Sequence, residues 1–260
     1  MPATPDLPVG APCWNDLGTP DLDTTVAFYT DLFGWGHLDY GEEYGHYGAF
    51  TLDDVPIAGV GPNAADDAVS AWNVYLKVAD VKDAVERSAQ AGATVLVPPM
   101  EVPAFGANAF VTDPSGAVVG LWEARGHNGF GRLAEVGAPA WHELLTRDYA
   151  AAVDFYRDVL GWTINVQGDT DEFRYSVFQP EGGDQHAGIM DASGWLDEKV
   201  GAHWSVYFLI DDADETCNRA VELGGGISMA PEDSPYGRMA VLTDPLGAQF
   251  KVITAANPPA

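Results

Sequence analysis

Basic residues are scarce in this chain: 12 lysines and arginines stand against 39 aspartates and glutamates, for a net charge of −27. Nucleic acids and anionic membranes are held mainly through Lys and Arg, so this balance argues against both as partners. It predicts a well-solvated acidic surface instead. Cysteine is scarcer still. Cys13 and Cys217 are the two present, too few for a disulfide framework and suited to a reducing compartment such as the cytoplasm. The opening MPATPDLPVG has neither a basic stretch nor an apolar core, so no signal peptide is expected there. No apolar run approaches the roughly 20 residues that a membrane-crossing helix needs. Also missing are a GxSxG nucleophile elbow and a Gly-rich phosphate loop. The run Gly224–Gly226 reads as the end of a helix.

Glycine, proline and apolar residues are plentiful, at 29 residues, 18 residues and 47% of the chain. A turn-rich globular protein of 260 residues has room for roughly two domains, each with a core. Self-comparison supplies them. TDPSGA at 112–117 recurs as TDPLGA at 243–248, and its Asp-Pro-x-Gly order suits a type I turn between strands. WNDLGTPDLDTTVAFYTDLFGW from Trp14 aligns with WHELLTRDYAAAVDFYRDVLGW from Trp141, with 10 of 22 positions identical. WNVYLKVAD from Trp72 matches WSVYFLIDD from Trp204. The offsets of 131, 127 and 132 keep the order and differ by a few loop residues, which marks a tandem duplication. The halves are read as 10–125 and 138–255, with 126–137 as the linker.

Each half also divides in two. A strand near 12–18 leads to a helix over about 21–33, with Val26, Tyr29 and Phe33 on one face and Gly34 at its end. Thr19-Pro20-Asp21 supplies the helix start. Strands follow near 36–40, 46–52 and 55–61. The order then restarts with a strand at 72–79, a helix at 81–91, and strands near 93–97, 107–112 and 117–123. The second half has helices near 148–160 and 212–223. The fold class is α+β, and the unit β-α-β-β-β occurs four times.

Four such units, with AFYTDLFGW and DFYRDVLGW after the first strands of the halves, resemble the vicinal oxygen chelate superfamily. That superfamily includes glyoxalase I, extradiol dioxygenases and bleomycin-resistance proteins. Within it the chain resembles the two-domain, glyoxalase-like actinobacterial antigens, over nearly its whole length. The resemblance implies a tandem pair of domains in which two units join their sheets into a cup that holds a small molecule. Metal-dependent members place His, Gln or Glu on four strands facing into the cup, a donor set for a divalent ion.

The resemblance puts those ligand positions on Asn15, Asn73 and Gly120 in the first half. Its fourth strand, PIAGV, has no ligand type at all. Asparagine amides bind transition metals poorly, so the first cup is expected to be metal-free. In the second half the positions fall on His142, Ser205 and Lys251. Lysine there brings a positive charge that opposes a divalent ion. An alternative reading remains open. His142, His186 and His203 all lie in or beside strands of this half, and their convergence would hold Zn, Ni or Fe in a glyoxalase-type lyase or a dioxygenase.

The leading reading is a binding protein without cofactor, a monomer or homodimer, that holds a small planar or anionic molecule in a metal-free cup for detoxification or resistance. Asn15, Asn73, Tyr75 and Trp122 are expected around the first cup. Ser205, Tyr207 and Lys251 are expected inside the second, with Arg238 over its mouth. If that cup is catalytic, His142 would be the base and Lys251 its electrostatic partner. Trp72 and Trp204 fall on the opposite strand face and are expected to pack against a helix. His142 and Glu143 are strand neighbours, so they point to opposite faces and cannot serve one substrate together.

Overall fold

A computed structural model describes residues 5–63 and 69–256; residues 1–4 of the stretch read for a signal peptide lie outside them. The first half runs β1 (Pro12–Thr19), α1 (Leu22–Phe33), β2 (Gly36–Asp39), β3 (Gly48–Leu52) and β4 (Val55–Pro62). It continues β5 (Ala71–Val78), α2 (Val81–Gln90), β6 (Thr94–Val102), β7 (Gly106–Thr112) and β8 (Val118–Ala124). The second half runs β9 (Pro139–Thr146), α3 (Tyr149–Leu160), β10 (Ile164–Asp169), β11 (Arg174–Phe178) and β12 (Ala187–Asp191). It ends with β13 (His203–Ile210), α4 (Ala213–Glu222), β14 (Gly226–Ser234), β15 (Gly237–Thr243) and β16 (Gln249–Thr254).

Each half forms one eight-stranded sheet, ordered β2-β3-β4-β1-β5-β8-β7-β6 and β10-β11-β12-β9-β13-β16-β15-β14. The two orders are the same, as a duplicated α+β chain requires. Local signals place the helices. Asp21 accepts a hydrogen bond from Thr24 N to start α1, and Asp148 accepts one from Ala151 N to start α3. Gly34 and Gly161 end the same two helices in the left-handed region, each at φ 71°.

The helices cover the convex backs of the sheets, and the two backs meet. One apolar cluster joins Val74, Val81 and Leu121 to Phe155, Val159 and Trp162. The other joins Leu17, Phe28 and Phe50 to Phe208, Cys217 and Phe250. Each cluster mixes both halves, so the halves share two cores where the sequence suggests one apiece. The physical cause is simple: a sheet back with two helices still exposes apolar surface, and the other half supplies the cover.

The recurring strings are the lock between the halves. Tyr156 donates to Asp113 Oδ2 at 2.7 Å and accepts from Trp204 Nε1 at 3.0 Å. Tyr29 bonds in the same way to Asp244, and Trp72 Nε1 donates to the Tyr29 hydroxyl at 3.0 Å. The other oxygen of each aspartate holds its own turn, Asp113 Oδ1 accepting from Ser115 N and Ala117 N, and Asp244 Oδ1 from Leu246 N and Ala248 N. Trp35 Nε1 donates across to Gly137 O, and Trp162 Nε1 to Gly10 O. Trp72 and Trp204 therefore pack in the core against helices, as their register predicts. The connecting segment is packed too: Phe130 is buried against Trp14 and His142, with ring centroids 5.7 and 5.5 Å away. Both cysteines are buried and free. No helix among the described residues is long and apolar enough to cross a membrane.

Candidate functional site

The concave faces point away from the shared cores. At the centre of the first sheet β1 and β5 run antiparallel, with Asp16 opposite Asn73 and Trp14 opposite Tyr75. Directly opposed residues share a face. Tyr75 accordingly donates to Asp16 Oδ2 at 2.7 Å, Asn73 Nδ2 to Oδ1 at 3.0 Å, and Tyr47 to Oδ2 at 3.3 Å. Trp14 Nε1 donates to the Tyr47 hydroxyl at 3.1 Å. Burial raises the Asp16 pKa above the ordinary carboxylate value, and the three hydrogen bonds offset part of that.

The second sheet repeats the arrangement around Glu143. Tyr207 donates to Glu143 Oε2 at 2.8 Å, Tyr175 is hydrogen-bonded to the same carboxylate, and Trp141 Nε1 donates to the Tyr175 hydroxyl at 2.9 Å. One group is added. Lys251 Nζ lies 2.9 Å from Glu143 Oε2 and 2.9 Å from the Tyr207 hydroxyl, with its ammonium 4.6 Å from the Tyr207 ring centre. Burial, and then the Glu143 charge, hold the Tyr207 pKa well above the ordinary phenol value, so it stays a donor.

The register reading of β1 and β9 is corrected by one residue. Asn15 and His142 face the backs of the sheets, where His142 Nε2 meets Asn15 Oδ1 at 3.2 Å between the halves. Burial pushes the His142 pKa down to about 3, and the ring is neither a base in the cup nor a ligand there. Asp16 and Glu143 take the inward places. Their signal was in the repeat, since WND and WHE both carry an acid two residues after the tryptophan. It needed the pairing with β5 and β13 to show which strand face that acid occupies.

The remaining predicted residues divide. Asn73, Tyr75 and Trp122 belong to the first cup, Trp122 donating from Nε1 to His127 O at 2.9 Å. Tyr207 and Lys251 lie on the floor of the second, and Ser205 is buried opposite Glu143 on the same face. Arg238 does not cover the mouth. It is held by Asp214 of α4, 2.7 Å away, and by Asp233 of β14 at 3.1 Å, and is not among the residues lining the cavity. His186 lies against Phe178, whose ring stacks on Trp162 in the core. His203 lines the second cup. The three histidines of the alternative reading therefore do not converge.

The cups differ in their contents. In the first, a Cβ at Gly120 would overlap the Tyr75 ring, and one at Gly59 would overlap Tyr47. Glycine is needed at both places for the tyrosines to lie flat on the sheet. The loop between β2 and β3 crosses the mouth, and Tyr40 and Tyr44 pack on Phe105 from the opposite edge at 6.1 and 5.7 Å. The first cup is thus lined and clasped by its own aromatic side chains. The second cup holds a cavity of about 900 Å³. Its floor is Glu143, Lys251 and Tyr207, and its walls include Trp141, Phe173 and Met190. Trp195 and Tyr236 also line it while remaining 60% and 62% exposed, which puts them at the rim.

Neither floor suits a divalent ion. The Glu143 carboxylate is engaged by an ammonium, and Asp16 is ringed by neutral donors with no imidazole beside it. Among the described residues no three His, Cys, Asp or Glu side chains come together as a metal ligand set.

Residues 14–121 and 137–252 each match the glyoxalase/bleomycin resistance protein/dioxygenase superfamily profile. The chain is 36% identical over 265 residues to "Putative glyoxylase CFP32" of Mycobacterium tuberculosis, covering 98% of this chain and 99% of that protein. It is 35% identical over 262 residues to the anthracycline biosynthesis protein DnrV of Streptomyces peucetius, covering 94% and 93%. The Mn(II)-bound glyoxalase from Novosphingobium aromaticivorans shares the fold, with a TM-score of 0.66 at 16% identity over 96% of this chain and 83% of that one. With both halves matched and both cups built on one topology, the chain belongs to the glyoxalase/bleomycin resistance protein/dioxygenase superfamily.

Proposed function

We propose that the protein binds a planar aromatic small molecule in the second cup, without a metal ion, in a detoxifying, resistance or biosynthetic role. The observation that carries this reading is the buried Glu143–Lys251–Tyr207 group beneath an aromatic-walled cavity of about 900 Å³. That volume falls in the range of roughly 300–1,000 Å³ typical of small-molecule sites. Apolar walls supply the affinity, and a few fixed polar groups set the orientation. Glu143 cancels the charge of Lys251, so the floor reads polarity and not net negative charge. A neutral ligand with a carbonyl or hydroxyl suits it better than the anion suggested by the lysine alone. The relative named for anthracycline biosynthesis supports an aromatic polyketide-like ligand.

The reading is tested by calorimetric titration of EDTA-treated protein with polycyclic aromatic ketones. Binding is expected to survive chelation and to be abolished by Met239→Trp, which fills the cavity from its wall. Loss of binding on chelation, or unchanged binding by Met239→Trp, would overturn it.

A further inference from the structure

Part of the second cup's wall is irregular chain. Residues 192–202 connect β12 to β13, and Trp195, Leu196, Asp197 and Val200 of this segment line the cavity. Two turns shape it. Trp195 N and Leu196 N donate to Ala192 O at 3.2 and 2.9 Å, and Val200 N donates to Asp197 O at 2.9 Å. Ser193 N and Lys199 N donate to the carboxylates of Asp191 and Asp197. These bonds are local and leave the turns unattached to the rest of the fold. The segment is tied to the sheet at its start, where Ala192 N donates to Thr146 O of β9 at 2.8 Å.

The attachment further along is Arg147, which follows the last residue of β9 and is not itself among the residues lining the cavity. Its Nη1 donates to Val200 O at 2.9 Å, and its Nη2 donates to Leu196 O at 3.1 Å and to Asp197 O. One guanidinium thus joins both turns. The chain has 39 acids and 12 bases, yet this arginine holds three main-chain carbonyls and no carboxylate among the described residues. A planar fork of N–H donors can reach several carbonyls at once, which an ammonium with its donors on one atom does less well. All three carbonyls belong to residues whose side chains line the cavity. Trp195 stands beside them with 60% of its surface exposed, an aromatic face that the protein leaves uncovered. In the first half Pro20 takes the place of Arg147 and carries no side-chain donor.

We infer, resting on the reading of the cup given above, that Arg147 is a positioning residue for ligand binding: it fixes the 195–200 wall in advance, so that a planar ligand meets Trp195 and Val200 already in place. Side chains and loops that must be ordered at the moment of binding subtract from affinity, and a wall held beforehand escapes that cost.

Equilibrium dialysis with 9-fluorenone, a tricyclic aromatic ketone, tests this. Arg147→Met, which keeps the chain length and loses the donors, should weaken binding about tenfold. Arg147→Lys, which keeps the charge without the fork, should lose most of the same affinity. In a Trp195→Ala background Arg147→Met should cost no more than about threefold, because the wall it places has been cut back. A tenfold loss in both backgrounds would overturn the positioning role. Without ligand, chymotrypsin should cut Arg147→Met at Trp195 or Leu196 about tenfold faster than wild type while the rest of the chain resists; equal cutting would show that the segment is held without Arg147 and would end the idea. If wild type and Arg147→Met bind fluorenone equally, the role of Arg147 falls and the aromatic site stands. No binding by wild type would overturn the reading of the cup and this inference with it.

Discussion

Asp16 and Glu143 occupy the same place in two sheets of the same topology, each beneath a Trp–Tyr pair and beside a second tyrosine, yet aromatic rings meet over one cup and a cavity opens in the other. The difference lies largely in two places. At the final-strand position the first half has Gly120, which lets Tyr75 lie on the sheet, and the second has Lys251, whose ammonium joins Glu143 and Tyr207. At the mouth, Tyr40 and Tyr44 reach Phe105 across the first cup, whereas Phe173 and Tyr236 at the corresponding hairpins line an intervening cavity. A buried acid can be stabilised by neutral donors and a tendency to hold its proton, or by a cation. Duplication has tried both solutions in one chain. The first makes an aromatic clasp, and the second leaves a polar floor on which a ligand can be oriented.

The comparison breaks most severely at Lys251. Lys251→Met removes the cation from a carboxylate whose side chain is only 8% exposed, and chemical denaturation at neutral pH should show a loss of about 3–5 kcal/mol. Adding Glu143→Gln should recover most of it, because the uncompensated charge is then gone. A single variant as stable as wild type would mean the pair contributes nothing to the fold.

A smaller effect is expected at the matching position. Gly120→Ala drives a methyl group into the Tyr75 ring, and such overpacking costs about 1–3 kcal/mol. Thermal unfolding checks it; an unchanged midpoint would show that the first cup has room to spare.

The smallest effect is a slope. Asp16 has a folded pKa raised chiefly by burial, so both folded and unfolded states hold its proton below the unfolded value of about 3.9. There its contribution is fully present. As pH rises through the folded pKa, the unfolded state ionises more easily and the contribution is lost. The stability of wild type relative to Asp16→Asn should therefore fall with rising pH above about 4, then level off. A gap that widens with pH would mean the three hydrogen bonds outweigh burial.

Much of the architecture was legible in one dimension. The duplicated strings, the Thr19-Pro20-Asp21 start and Gly34 end of α1 and the strand alternation of Trp72 and Trp204 are local signals, because capping, turn geometry and side-chain period depend on neighbouring residues. The family resemblance also rests on such strings. The site was less legible. The resemblance and strand register put Asn73, Tyr75, Trp122, Tyr207 and Lys251 on the cup faces, where the structure has them, but put Asn15 and His142 in the inward places that Asp16 and Glu143 occupy.

That error has a physical origin. A strand presents alternate residues to opposite faces, so its period is visible in sequence, but which face is concave depends on partners distant in the chain. Asp16 is assigned to the cup by Asn73, 57 residues away, and Glu143 by Lys251, 108 residues away. The same holds for the joining of the halves: the sequence determined that FYxD and TDPxGA occur twice, and only tertiary structure decided that each tyrosine would bond to the other half's aspartate. Whether a cup is clasped or open was decided there as well, since it turns on whether loops from opposite sheet edges meet. Local periodicity fixes what a residue can do, and long-range packing fixes whom it does it with.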